Sequence, residues 1–152
     1  MKAIDIYTVE PVGEAARSRL LNTGMPTTLI VPGRVLEAQF AAPAGVVLFI
    51  THDIPFEERL DILLVREDVS IADQVSLWGS LTTGNFRNVS ISGPRSICFD
   101  FFGTQTWEVT LLPRATFRLP GRCDPAGVHR PAGLRRQLIV EPTTRSARPG
   151  VS

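Results

Sequence analysis

Alternation of apolar and polar residues dominates this chain. In Thr106–Leu112, Trp107, Val109 and Leu111 fall on one side and Thr106, Glu108 and Thr110 on the other, the period of two that a strand with one buried face requires. Ala3–Val9 reads as a strand with Ile4 and Ile6 on one face and Asp5 and Tyr7 on the other. Thr27–Val31 and Arg34–Phe40 flank the turn pair Pro32-Gly33, and in the second run Leu36, Ala38 and Phe40 share a face opposite Glu37 and Gln39. Val46–His52, Leu60–Arg66, Val69–Ile71, Gln74–Trp78, Phe86–Ser92, Ser96–Phe102 and Ala115–Leu119 complete the series. Gly93-Pro94, Gly103, Pro113 and the polar loop Gly79–Asn85 punctuate it. Val12–Asn22 departs from the pattern. Its Ala, Glu, Arg and Leu residues, with Pro11 before them and Gly24 after, predict a helix of about three turns.

Many short strands with turn signals between them predict an all-β fold, an antiparallel β-sandwich of jelly-roll-like type with one short N-terminal helix. A parallel sheet would need crossover helices, which this pattern does not supply. Residues 1–120 are expected to form the sandwich. After Pro120 the composition turns to Pro, Gly and Arg, so 121–152 reads as a partly disordered extension. Within it, Gln137–Val140 is an apolar island suited to an added edge strand, and Pro142–Ser152 reads as a disordered tail.

One strand raises a packing question. In Val46–Thr51, Val46, Leu48 and Ile50 lie on one face and Val47 and Phe49 on the other, so both faces are apolar. A two-layer sandwich leaves one face of each strand wet. A second covered face requires the N-terminal helix, the C-terminal segment or another subunit, which favours a homo-oligomer.

Composition narrows the function classes. At 152 residues and 43% hydrophobic content the chain can bury a core without metal or disulfide. The longest uncharged stretch, Ala38–Thr51, is shorter than the about 20 apolar residues of a spanning helix, so no membrane role is expected. Asp5 and Glu10 interrupt any secretory-signal pattern, and the two cysteines lack CxxC spacing. Together these fit a cytoplasmic location. Net charge is +1, but residues 1–112 carry 8 basic and 13 acidic side chains and residues 113–152 carry 8 and 2. The basic residues are scattered among Pro and Gly without interleaved aromatics, on an acidic body, which argues against nucleic acid. An acidic stretch from Asp53 to Asp73 instead suits a basic protein partner or the chain's own arginine-rich C-terminal segment.

The candidate chemistry lies in HDIPFEER, residues 52–59, between two apolar runs. His52, Asp53, Glu57, Glu58 and Asp61 combine a histidine with carboxylates, the raw material of a divalent-metal site or a general acid–base pair. Against this, His52 has no second histidine or cysteine close in sequence, and Asp61 is expected on the outward side of its strand. A solvated acidic loop with a structurally hydrogen-bonded histidine is the simpler reading. Trp78, beside the polar loop, is the aromatic best placed for an exposed ligand platform, whereas Trp107 alternates with core residues. No GxxxxGK[ST], GxGxxG or GxSxG motif is present, and no cofactor is expected. The sequence therefore favours a non-enzymatic, self-associating binding or assembly module. The alternative is a small-ligand or divalent-metal protein, or an enzyme, using the His52–Asp61 loop.

Overall fold

A computed structural model of the chain describes residues 1–54, 58–79, 85–117, 124–131 and 135–144. The strands are β1 (Lys2–Ala3), β2 (Tyr7–Pro11), β3 (Arg17–Asn22), β4 (Met25–Pro32), β5 (Val35–Ala42), β6 (Gly45–Thr51) and β7 (Leu60–Val65). They continue as β8 (Ile71–Leu77), β9 (Arg87–Gly93), β10 (Ser96–Asp100), β11 (Thr106–Phe117), β12 (Val128–His129) and β13 (Arg135–Thr143). Every pairing is antiparallel, and no helix occurs among the described residues. The all-β antiparallel class is the one the alternation predicts.

The strands form three sheets: β1-β5-β6-β7-β8-β12, β13-β11-β10-β9 and β2-β3-β4. Most chain-consecutive strands are neighbours, as expected when short turns join antiparallel strands. The six-stranded sheet lies in the middle. Its Val47, Phe49, Ile62, Leu64 and Val75 pack against Ile97, Phe99, Val109 and Leu138 of the four-stranded sheet. On its other face, Leu48, Ile50, Leu63 and Val65 pack against Tyr7, Leu20 and Val31 of the three-stranded sheet. Phe49 ties the main core together: its ring meets Phe99 at 5.3 Å edge-on and Phe40 at 6.0 Å, the T-shaped geometry aromatic quadrupoles favour.

This arrangement answers the question posed by the doubly apolar strand. Both faces of β6 are covered within one chain, and Val47, Leu48, Phe49 and Ile50 are all at most 1% exposed. The covering element is the segment predicted to be a helix. Val12–Asn22 is instead a turn followed by β3, which pairs with both β2 and β4. The helix expectation fails for a physical reason. Gly13 takes a φ of 64°, outside any helix, and Ser18 and Leu20 then alternate inward against Arg17 and Arg19. Helix propensity is worth a few tenths of a kcal/mol per residue, about, and burial of Leu20 outweighs it.

The N-terminus also differs from the single strand expected over Ala3–Val9. β1 borders β5 in the central sheet, while β2 belongs to the covering sheet, so Tyr7 is buried and Ile6 stays exposed. Gln39 holds this crossover. Its Oε1 accepts from the Tyr7 and Ile6 amides at 2.9 and 3.2 Å, and its Nε2 donates to Tyr7 O at 2.9 Å. A buried side-chain amide thus takes the place of a strand's backbone. A bulge between Leu36 and Ala38 sets its direction: Leu36 joins the cluster facing the covering sheet, and Phe40 joins the main core. Gln39→Leu should strand these backbone groups in an apolar layer and lower stability by about 1–3 kcal/mol, read as a fall in the urea midpoint.

Gly33, in the turn pair between β4 and β5, has a φ of 89°, and a Cβ there would meet Ile50 Cγ2 at 2.5 Å. Its carbonyl accepts from Ser18 Oγ at 2.8 Å and its amide donates to Ala16 O at 2.8 Å, which docks the end of β3 on the central sheet.

The C-terminal strand is longer than Gln137–Val140. β13 runs from Arg135 to Thr143 beside β11, with Leu138 and Val140 in the core. A buried charge cluster fastens it across the sheets. Asp73 Oδ2 on β8 accepts from the Gln137 and Leu138 amides at 2.7 and 2.8 Å and from Arg130 Nη1 at 3.3 Å. Arg130, its side chain 3% exposed, also grips Asp124 and donates to Leu138 O. The tail beyond Thr144 lies outside the described residues.

Candidate functional site

The HDIPFEER residues divide sharply. β6 ends at Thr51 and β7 begins at Leu60, its pairing partner, so His52 and Arg59 stand side by side where the hairpin opens. His52 N donates to Arg59 O at 3.2 Å and to Glu58 Oε1 at 2.9 Å. Glu58 Oε1 also accepts from its neighbour Arg59 N at 3.1 Å, so this carboxylate folds back and caps the loop backbone. Asp53 is exposed with a φ of 57°, a left-handed conformation that short polar residues tolerate. Glu57 lies outside the described residues.

Asp61 is the correction. It was expected to point outward, but it is fully buried. The side opposite Leu60, Ile62 and Leu64 is the one the N-terminal sheet covers, so outward on β7 is still inside the protein. Asp61 and His52 share that side, and His52 Nε2–H donates to Asp61 Oδ2 at 2.5 Å. Asp61 Oδ1 accepts from Ser76 Oγ on the neighbouring strand, and from Gln74 Nε2 and Arg59 Nη2 at 3.4 Å each. Arg59 Nη2 also donates to Ser76 Oγ at 3.0 Å. Arg59 Nε stands 3.2 Å from Asp61 Oδ2, near enough to pair as a charge but out of line for a hydrogen bond. Burial by itself would raise the Asp61 carboxyl. The His52 and Ser76 hydrogen bonds and the Arg59 and His52 charges outweigh it, and the net displacement is downward from the ordinary 3.8.

Trp78 is 41% exposed and joins none of these side chains by hydrogen bond or ring contact among the described residues. Its ring stacks on His129, with centroids 3.9 Å apart and planes 18° from parallel. His129 Nε2–H donates to Trp78 O at 3.1 Å. The pairing of β12 with β8 sets His129 opposite Ser76, so the protein's two histidines flank Asp61 and Ser76 on one face. Adjacent strands stand about 4.8 Å apart, which leaves two strand spacings between His129 and Asp61. Among the described residues, no three His, Cys, Asp or Glu side chains converge to hold a metal ion.

Two participants escaped the sequence reading. Arg59 lies inside the motif but outside its candidate residues, and Ser76 carries no local signal. Only the β7–β8 register brings it to Asp61. The acidic stretch is likewise not one patch. Asp61 and Asp73 are spent inside the protein, while Asp53 lies at one end of β7 and Glu67 and Asp68 lie past the other.

The arrangement can therefore orient an imidazole and lock a hairpin mouth. Its carboxylate is enclosed and saturated by donors, which a reacting acid or base cannot be. Among the described residues, no helix is long and apolar enough to cross a membrane. No protein-family model, no curated protein and no solved structure matches this chain.

Proposed function

We propose that the protein is a non-enzymatic binding or assembly module that associates with a second copy of itself through the far end of β11. The observation that carries this is Phe117, 68% exposed at the end of a strand whose last five residues, Pro113–Phe117, are all exposed. A strand exposed on both faces has left its sandwich, and it does so paired with Arg135 and Arg136. An aromatic flanked by arginines is the composition that interface centres favour. A second copy suits it by charge. The C-terminal segment is basic and the body acidic, so the ribbon of one copy and the body of another attract. Cytoplasmic location belongs to the same reading, supported by the two cysteines of the sequence, which lack CxxC spacing.

Sedimentation equilibrium tests this. Phe117→Ser should weaken association at least about tenfold, the loss of one interface aromatic. Salt should weaken the wild type as well. Unchanged association of the variant, or a wild type that stays monomeric throughout, overturns the proposal.

His52 favours a second reading, in which the His52–Asp61 loop serves a small ligand, a divalent metal or an acid–base step. A ring anchored at Nε2 by a buried carboxylate is the orienting half of such a pair. Stoichiometric metal in the purified protein, lost in the His52→Ala, Asp53→Ala double variant, would replace the first reading by this one.

A further inference from the structure

A cleft opens at the end of the sandwich opposite His52, roughly 20 Å away along the seven residues of β6. Pro43 from the β5–β6 turn, Pro94 from the β9–β10 turn and Pro113 from the bend of β11 frame it. Leu111 and Leu112 line it from within. Each proline fixes its φ near about −65°, so the rim holds its shape before anything enters. The volume, about 190 Å³, lies below the roughly 300–1,000 Å³ of drug-sized pockets and suits a short ligand.

Among the described residues, Arg95 is the one charged residue lining the cleft. Its carbonyl accepts from Leu111 N at 2.8 Å, which fastens the β9–β10 turn to the cleft wall. Its side chain is exposed at the mouth, and among the described residues no acid pairs with it. A rigid apolar hollow with a single unspent guanidinium at its mouth selects one kind of molecule. The apolar body loses water against proline and leucine, and an anionic end meets a planar two-pronged donor that matches a carboxylate.

We propose that this cleft binds a small apolar monocarboxylate, with its tail against Leu111, Leu112 and the three prolines and its carboxylate on Arg95. Phe117 does not line the cleft, so this proposal and the self-association reading fail separately.

Titration calorimetry with octanoate and with 1-octanol, paired with amide chemical-shift mapping, tests it. Octanoate should bind wild type saturably, with a Kd of about a millimolar, and should shift the Leu111 and Leu112 amides. Arg95→Gln should weaken octanoate at least tenfold. Octanol should bind wild type more weakly than octanoate does and should be indifferent to the substitution. Equal octanoate affinity in wild type and Arg95→Gln overturns the proposal. So does the absence of saturable octanoate binding, or shifts confined to other parts of the protein.

Discussion

Asp61→Ala should destabilise the protein by about 3–5 kcal/mol, the cost of removing one partner from a buried charge cluster. The carboxylate receives His52, Ser76, Gln74 and Arg59, and it is fully buried. Its loss leaves a buried hydroxyl, a nearly buried imidazole and an arginine without the anion that organised them. Ser76→Ala should cost far less, because Asp61 keeps its other donors. Equilibrium urea denaturation of both variants distinguishes a hub from a chain of independent pairs. The same group sets an acid limb. The Asp61 carboxyl is displaced downward in the folded protein, so the unfolded chain takes up its proton first as pH falls. The stabilisation is therefore complete above the ordinary aspartate value of 3.8 and is lost as pH drops through the lower, folded value. Asp61→Asn should be less stable than wild type at neutral pH and should converge toward it below about pH 4. A constant gap between the two curves across that range would show that Asp61 is not the titrating hub.

Leu20→Ala should cost about 2.7–5 kcal/mol, the range for emptying a buried leucine site. Leu20 is fully buried at the centre of the covering sheet, in the cluster that contains Leu48, Ile50 and Leu63 of the central sheet. The neighbouring Leu21 points to the other side and is only half-buried, so Leu21→Ala should cost much less. A helix over Val12–Asn22 would put Ala16 and Leu20 on one stripe. Both arrangements bury Leu20, and the position that separates them is Ser18, fully buried beside it in the strand and off that stripe in a helix.

The seven strands β5 to β11 were legible because period two survives wherever one face meets a core, as in Trp107, Val109 and Leu111. Val46–Thr51 was legible in another way: apolar on both faces, it announced a third layer without naming it. The layer itself was misread. RSRLLN carries only two inward positions, Ser18 and Leu20, and one of them is polar, so helix propensity in the preceding residues drowned the alternation. At the candidate site, His52, Glu58 and Asp61 were found by residue type, but their roles were not. Asp61's side of the strand depends on a sheet built from residues 7–32, and its Ser76 partner depends on register. Neither is local information. Arg95 was invisible for the same reason: its cleft is assembled from two turns and a strand far apart in sequence.

The central claim is that the chain covers its own doubly apolar strand. The decisive measurement is the stability cost of Leu20→Ala in a Phe117→Ser background, by urea denaturation at a concentration where sedimentation shows a monomer. If the N-terminal sheet is the cover, the cost in the monomer is the full 2.7 kcal/mol or more, about, and does not change with protein concentration. A cost below about 0.5 kcal/mol in the monomer, the scale of a surface substitution, would mean that something other than this sheet covers β6.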